Sequence, residues 1–146
     1  MIREAIIAIV DERRDLSEQE ATAVMHEIMG GEATDVTEAQ FGAFVTALRM
    51  KGESVEEITG MAKAMREHAL RVEVDARPLL DTAGTGGSNN KLFNASTAAA
   101  FVAAAGGAKV AKHGNRAMTS RSGSADFIEA LGAQITLPPP QVAYCI

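Results

Sequence analysis

Three helix-start signals within residues 17–57 constrain the fold of this chain more than any other feature. In each signal a serine or threonine is followed three residues later by glutamate or glutamine, which is the pattern of a capping box. The three pairs are Ser17 with Glu20, Thr37 with Gln40, and Ser54 with Glu57. Residues 2–10 add an apolar stripe with helical spacing. Four helices with short connections are therefore predicted, which is typical of a small antiparallel helical unit.

The charge distribution divides the chain into two parts. Residues 1–75 carry 8 Lys+Arg and 16 Asp+Glu, a net charge of −8, whereas residues 76–146 carry 6 and 3, a net charge of +3. The overall charge of −5 argues against a general nucleic-acid binder. We predict a helical domain in residues 1–75 and a domain for phosphate-bearing ligands in residues 76–146.

The composition limits the cellular compartment and the kinds of structural crosslink that can be expected. No stretch approaches the roughly eighteen unbroken apolar residues of a membrane helix, so no membrane contact is expected. Cys145 is the one cysteine and cannot form an internal disulfide. No set of Cys and His residues has the spacing of a structural zinc site. A cytoplasmic protein is the expectation.

The pattern after residue 78 changes to short apolar runs that alternate with glycine loops and helices, which indicates an α/β domain with a mainly parallel sheet. Ser124 is the predicted cap of the second of these helices, and Pro138 to Pro140 are predicted to form a rigid connector. Because such a sheet ordinarily has more strands, we expect the α/β domain to be incomplete and the chain truncated. The predicted strands are residues 79–83, 108–111 and 134–137, and the predicted helices are residues 97–105, 124–131 and the start of another at 141–146.

The segment Asp-Thr-Ala-Gly-Thr-Gly-Gly at residues 81–87 follows the first predicted strand of this domain. Glycines let backbone N–H groups approach phosphate oxygens without an intervening Cβ atom. The spacing matches neither the dinucleotide-binding pattern nor the Walker pattern. On glycine spacing alone, a tight turn without a ligand is the alternative.

Asn94, Ser96 and Thr97 lie at the start of the predicted helix 97–105, which consists mainly of small residues. Hydroxyl, amide and free helix N–H groups converge there, where an anion or its metal ion can bind. Ordinary helix capping by Asn94 or Ser96 is the alternative, and the two roles are compatible.

Lys-His-Gly-Asn-Arg at residues 112–116 follows the second predicted strand. Ligands of open α/β sheets bind at the carboxyl ends of strands, so this segment should lie beside the glycine loop. Lys112 and Arg116 can neutralise pyrophosphate, and Asn115 can hold an organic group. For His113 a buried, structural histidine is the alternative. Further hydroxyls follow at Thr119, Ser120, Ser122 and Ser124.

The segments DTAGTGGSNNKLFNAST and VAKHGNRAMTSRSGSAD resemble the anthranilate phosphoribosyltransferase family of tryptophan biosynthesis, whose fold is shared with the pyrimidine nucleoside phosphorylases. The resemblance covers essentially the whole chain and implies a helical domain followed by the first half of the α/β domain. A phosphorylase-like protein is a distant second, because phosphorylases place the Lys-His element differently. A non-catalytic module for phosphate binding or oligomerisation is the alternative from another class.

The resemblance implies transfer of phosphoribose from 5-phosphoribosyl-1-pyrophosphate to the anthranilate amine, with release of pyrophosphate. It also implies a Mg²⁺ ion bound by Ser96, a homodimer formed through the helical domain, and no nucleic-acid partner. Anthranilate would be bound by Gly84, His113 and Asn115. The phosphoribosyl pyrophosphate residues would be Gly84, Gly87, Ser88, Leu92, Asn94, Ala95, Ser96, Thr97, Lys112, His113, Gly114, Asn115, Arg116, Ser120 and Ser124.

The sequence departs from the family pattern in two ways. Ser88 stands where the family has aspartate, Asn89 where it has glycine, and Leu92 where it has threonine. The family's second half is also absent, and with it an anthranilate-binding arginine and an Asp-Glu pair that binds magnesium.

We therefore predict that the 146-residue chain by itself shows little or no transferase turnover. The fluorescence of anthranilate, followed in the presence of phosphoribosyl pyrophosphate and magnesium, measures this directly. Robust turnover would contradict the prediction.

Overall fold

A computed structural model describes residues 1–31, 35–75, 78–84, 93–117 and 122–146. These residues form two compact units, Met1–Leu70 and Arg71–Ile146. None of the helices in the described ranges has both the length and the apolarity to cross a membrane. The first unit contains α1 (Ile2–Val10), α2 (Glu18–Met29), α3 (Glu38–Lys51) and α4 (Val55–His68). The second contains β1 (Leu79–Leu80), α5 (Ala95–Ala105), β2 (Lys109–Val110), α6 (Ser124–Ala130) and α7 (Pro139–Cys145). The predicted order, helical and then α/β, is confirmed.

The three predicted capping boxes are all present, at the starts of α2, α3 and α4. At α2, the Ser17 hydroxyl accepts a hydrogen bond from the Glu20 N–H at 3.2 Å, and the Glu20 carboxylate accepts one from the Ser17 N–H at 2.8 Å. Two otherwise unpaired N–H groups are thereby satisfied at the start of each helix. These boundaries could be predicted because the capping signal is local.

The core of the first unit is formed where the four described helices meet. Helix α2 packs mainly on α4, and α1 packs mainly on α3. The buried side chains are small or aliphatic apart from one phenylalanine, and they form one cluster. Its members are Ile2, Ala5, Ala8, Ile9, Leu16, Ala21, Val24, Phe44 and Leu48.

The helical spacing of Ile58, Met61, Met65 and Ala69 predicts the buried face of α4, but of these four only Met61 is among the residues that pack against the core. Ile58 and Met65 are 54% and 51% exposed, whereas Gly60 and Ala64 are buried. A Cβ atom added at Gly60 would overlap the Glu18 carbonyl oxygen and lie 2.9 Å from the Thr22 amide nitrogen. The backbones of α2 and α4 therefore approach each other closely, and only small residues fit between them.

Glu57 joins three segments of the first unit through a fully buried carboxylate. It accepts hydrogen bonds from the N–H groups of Leu16 at 2.9 Å and Ser54 at 2.8 Å, and pairs with the Lys51 ammonium at 2.9 Å. Burial acts to raise the pKa of this carboxyl, but those two N–H groups and the Lys51 charge outweigh burial and lower the pKa below its ordinary value. The connection before α2, the end of α3 and the start of α4 are thus fixed together.

In the second unit, β1 and β2 form a parallel pair, with Leu79 opposite Lys109 and Leu80 opposite Val110. The Ala111 N–H donates to the Leu80 carbonyl at 3.0 Å and continues the ladder by one bond. A parallel pair with an intervening helix, α5, is the βαβ arrangement that the sequence predicts. The carboxyl ends of both strands therefore lie at the same edge of the sheet.

Several boundaries in the second unit correct the sequence predictions. The strands are shorter than predicted, and the described residues 134–137 form no strand, although Ile135 and Leu137 alternate with more exposed neighbours. Ser124 is the first residue of α6 and not its cap, which is Gly123. Pro139 and Pro140 are not a connector but the first turn of α7, where the missing N–H of proline costs nothing. Short apolar runs and local capping patterns do not show which neighbour a segment will have.

The close contact at Gly60 gives a matched pair of variants. Gly60→Ala places a methyl group against the backbone of α2 and should destabilise the protein by about 1–3 kcal/mol. Gly42→Ala in α3 meets no atom within 4 Å, and should stabilise by roughly 0.5–1 kcal/mol because it removes a helical glycine. Urea unfolding followed by far-UV circular dichroism measures both. Equal effects of the two substitutions would disprove the close packing of α2 on α4.

Candidate functional site

The candidate site lies where the chain leaves the parallel strands β1 and β2. Asp81 follows β1, and Lys112 and His113 follow β2 after one intervening residue. This is the carboxyl edge of the pair, where open α/β sheets place their ligands. The adjacency that the sequence predicts for the two loops is present for their described residues.

Asp81 connects the two loops directly. Its Oδ1 atom accepts hydrogen bonds from the Ala83 N–H at 2.9 Å and from the His113 N–H at 3.1 Å. Desolvation acts to raise the pKa of this carboxyl, but the two N–H donors and the nearby Lys112 charge lower the pKa below its ordinary value. Asp81 is thus an ionised crosslink between the loops. The sequence motifs gave Asp81 no role, although its position directly after a predicted strand was a usable signal.

Ser96, in the first turn of α5, is a junction of the site. The Thr82 hydroxyl donates to the Ser96 carbonyl oxygen at 2.7 Å, which attaches the loop after β1 to α5. The Lys112 ammonium donates to the Ser96 hydroxyl at 3.4 Å. The structure therefore brings together two residues, Ser96 and Lys112, that sequence reasoning placed in one site from separate segments. Thr82 was not predicted.

Thr97 is 1% exposed. Within the described part of the chain its hydroxyl oxygen has no hydrogen-bond partner. A buried hydroxyl without a partner costs free energy, on the order of 1–3 kcal/mol. Such an atom at the N-terminal turn of a helix is one that a bound polar group can satisfy.

The loop 112–117 is held from behind by α6. The Asp126 Oδ2 atom accepts hydrogen bonds from the N–H groups of Gly123 and Ala117, both at 2.8 Å. These two donors, together with the Arg116 charge, lower the pKa of the Asp126 carboxyl. The Ala125 N–H donates to the Asn115 carbonyl at 3.2 Å. Asp126 is thus a support for the loop, a role that sequence reasoning did not assign.

Arg116 is engaged in ion pairs. Its guanidinium makes two hydrogen bonds to Glu129, one of them at 2.8 Å, and lies 3.5 Å from Asp126. These contacts raise the pKa of the guanidinium. The sequence predicts that Arg116 neutralises pyrophosphate, whereas in the structure the Arg116 charge attaches the loop to α6.

Two glycines allow close approach of the loop and α6. A Cβ atom at Gly114 would overlap the Ser124 hydroxyl, and one at Gly123 would lie 2.6 Å from the amide nitrogen of Ala117. The Asn94 amide donates to the Gly123 carbonyl at 3.3 Å, which links the start of α5 to the start of α6. Asn94 and Ser124 are therefore both tied to this short stretch of backbone.

A cavity of about 950 Å³ opens in the second unit. Apolar side chains from α5, α6 and residues 133–146 form much of its wall, and all five residues of the 112–116 segment also line it. This volume lies in the range of small-molecule sites. The predicted site residues that line it are Thr97, Lys112, His113, Gly114, Asn115, Arg116 and Ser124.

The remaining predicted residues fall into two groups. Gly84, Asn94, Ala95 and Ser96 are described but do not line this cavity. A Cβ atom added at Gly84 would meet no atom within 4 Å. The other group lies outside the described residues and comprises Gly87, Ser88, Leu92 and Ser120.

Comparison with known proteins identifies both halves of the chain. Residues 3–69 match the helical bundle domain of a glycosyl transferase family, and residues 76–146 match the a/b domain of the same family. The chain therefore belongs to this glycosyl transferase family. The curated proteins that are similar to this chain include many anthranilate phosphoribosyltransferases. The resemblance that the sequence motifs indicate is thus confirmed.

Two curated relatives and one solved structure illustrate the similarity. The anthranilate phosphoribosyltransferase of Alkalilimnicola ehrlichii is 57% identical over 146 residues, which is all of this chain and 42% of the relative. That of Chloroflexus aurantiacus is 59% identical over 145 residues, 99% of this chain and 41% of the relative. The crystal structure of the Thermus thermophilus enzyme superposes with a TM-score of 0.76 at 46% identity, covering 99% of this chain and 41% of that one. The chain thus spans about 42% of the length of such relatives.

The support of the loop by α6 gives a testable contrast between two acidic residues. Asp126→Ala removes the acceptor of two backbone N–H groups and should accelerate amide hydrogen exchange markedly in residues 112–117. Glu129→Ala removes only a side-chain ion pair with Arg116, and should leave this exchange within about threefold of the parent. Hydrogen exchange followed by mass spectrometry compares them. Equal acceleration by both variants would contradict the distinct role of Asp126.

Proposed function

We propose that this chain carries the phosphoribosyl pyrophosphate site of an anthranilate phosphoribosyltransferase. The observation that carries the proposal is the junction of Thr82, Ser96 and Lys112 at the carboxyl edge of the parallel strands. It brings a cation, a hydroxyl and the start of a helix together, which is a set of groups suited to a phosphorylated ligand. The names of the relatives support the transfer of a phosphoribosyl group to anthranilate, and we propose phosphoribosyl pyrophosphate as the donor.

Lys112 is the cation of this loop that we assign to the pyrophosphate. Its ammonium contacts the neutral hydroxyl of Ser96, whereas the Arg116 guanidinium is paired with Glu129. A positive charge that contacts a hydroxyl can turn to an incoming anion without losing an ion pair. The net charge of +3 in residues 76–146 favours the approach of the same ligand.

The chemistry requires orientation and charge stabilisation more than a strong base. The anthranilate nitrogen forms a bond to the anomeric carbon of the ribose, while the bond from that carbon to the pyrophosphate oxygen breaks. Lys112 and the N-terminal turn of α5 would stabilise the negative charge on the departing pyrophosphate. His113 and Asn115, both exposed at the cavity, would hold anthranilate close to the ribose.

Magnesium is part of the proposal through Ser96. A hydroxyl oxygen suits Mg²⁺, which commonly takes its other ligands from water and substrate phosphates. Because the Ser96 hydroxyl also accepts the Lys112 hydrogen bond, we expect Lys112 to move to the pyrophosphate when the ion binds. Bound Mg²⁺ would neutralise charge on the leaving group. The buried Thr97 hydroxyl is one further group that the ligand can satisfy.

A homodimer formed through the helical unit is also proposed. Phe41 and Val45 on α3 are 43% and 39% exposed, and Ile58 on α4 is 54% exposed. Apolar side chains of this size at a surface favour a protein interface. Multi-angle light scattering should therefore show a mass near twice 15.3 kDa. Phe41→Glu should lower the apparent mass, and a monomer at high concentration of the parent chain would refute the dimer.

The assignment of Lys112 is tested by a second lysine nearby. Lys112→Met should weaken phosphoribosyl pyrophosphate binding by about 10- to 100-fold, the range expected when one charge-assisted contact is lost. Lys109→Met removes the same charge from the exposed position at the start of β2, and should change affinity by less than about threefold. Isothermal titration calorimetry with phosphoribosyl pyrophosphate, with and without Mg²⁺, gives both values. If both variants lost similar affinity for phosphoribosyl pyrophosphate, the effect would come from the net charge of the protein. That result would count against the assignment of Lys112.

A further inference from the structure

Two histidines meet between α2 and α4, in the helical unit and outside the proposed substrate site. His26 lies in the last turn of α2, and His68 is the last residue of α4. The Nδ1 atom of His26 lies 3.0 Å from the Nε2 atom of His68. The ring centroids are 5.1 Å apart and the ring planes are inclined at 52°. Residues 42 positions apart are thus brought together only by the close packing of these helices.

A carboxylate fixes the hydrogen-bonding state of the first histidine. The Glu67 Oε2 atom lies 3.1 Å from the His26 Nε2 atom. Since a carboxylate accepts a hydrogen bond from a protonated nitrogen, the Nε2 atom carries the proton and the neutral ring keeps a lone pair on Nδ1. The nitrogen of His26 that faces His68 is therefore the one able to bind a metal ion. A carboxylate behind a ligating histidine is a common arrangement in metal sites.

We propose that His26 and His68 bind one divalent transition-metal ion, of which Zn²⁺ is the representative, through Nδ1 and Nε2 respectively. Two imidazole nitrogens at about 2.0–2.1 Å from one zinc ion are roughly 3.3 Å apart in tetrahedral geometry. The separation of 3.0 Å is close to this value, so small ring rotations suffice. The His68 ring binds after its Nε2 proton moves through solvent to Nδ1, which leaves the ring neutral.

Water completes the coordination of this ion. The His26 side chain is 39% exposed, and His68 is exposed as well, so the site is open to solvent. Across the described ranges there is no cluster of three or more His, Cys, Asp or Glu side chains arranged for a metal. The site is therefore one of two protein ligands, in which Glu67 is a positioning residue. It differs in chemistry from the proposed Mg²⁺ position at Ser96, because Mg²⁺ prefers oxygen ligands and Zn²⁺ accepts imidazole.

The ion would join the ends of two helices that the polypeptide connects only through α3. Binding to the folded state and not to the separated helices raises the stability of the folded state. Zinc should therefore raise the melting temperature of the chain.

The test is a calorimetric titration of the full chain with Zn²⁺, in a Cys145→Ser background that removes the exposed thiol. We expect one ion per chain, a higher melting temperature with zinc, and no binding of Mg²⁺ at this site. His26→Gln and His68→Gln should each lower zinc affinity by at least about tenfold. The double variant should bind zinc only slightly more weakly than the weaker-binding of the two single variants. His113→Gln, which changes the third histidine, should leave the affinity unchanged.

Two further measurements keep the test independent of folding defects in these variants. Electron paramagnetic resonance of the parent chain with Cu²⁺ should show two nitrogen ligands. Glu67→Gln should weaken zinc binding by about tenfold while the metal-free melting temperature stays the same. The proposal is overturned if the parent chain binds no zinc, if the single histidine variants bind as tightly as the parent, or if the spectrum shows fewer than two nitrogens.

Discussion

The hydrogen bonds that the Asp81 carboxylate accepts from the N–H groups of Ala83 and His113 join the two loops of the candidate site. The parallel strands β1 and β2 are only two residues each. A pair of this length fixes the direction of the chains but leaves the following loops free to diverge. By accepting donors from both loops, Asp81 keeps the segment after β1 beside the segment that contains Lys112. The junction at Ser96 depends on that proximity.

The same physical device, an ionised carboxylate that accepts backbone N–H groups, recurs in both units. Asp126 holds the loop 112–117 against α6, and Glu57 joins three segments of the helical unit. Residues 76–146 contain three acidic residues, which are Asp81, Asp126 and Glu129. All three are engaged with backbone donors or with Arg116. The acidic side chains of this half are therefore used in its construction, which agrees with the role proposed for the Lys112 charge toward an anionic ligand.

The glycosyl transferase family assignment and the order of the domains followed from local patterns. Each capping box is complete within four residues, and the segments 81–97 and 110–126 carry family-specific motifs in continuous sequence. The buried face of α4 was not predictable in this way. Apolar spacing favoured Ile58 and Met65, whereas close packing on α2 selected Gly60 and Ala64. A hydrophobic pattern identifies residues that can be buried, but the distance to the neighbouring helix decides which of them are. The expected strand at residues 134–137 failed for a related reason, because a strand needs a pairing partner that no local pattern specifies.

The sequence by itself determined the starts of α2, α3 and α4, the family, and the choice of Ser96 and Lys112 as candidate site residues, because these depend on short motifs and on residue chemistry. Only the tertiary structure decided how the charges are used. Arg116 and Lys112 are both basic residues of one pentapeptide, yet Arg116 is paired with Glu129 and Lys112 contacts Ser96. Glu129 lies 13 residues from Arg116 in the sequence, and Ser96 lies 16 residues from Lys112. The packing of α6 and α5 brings these partners into contact. The meeting of His26 and His68 across α2 and α4 has the same origin, since it requires two helices to be in contact and no local sequence pattern records that contact.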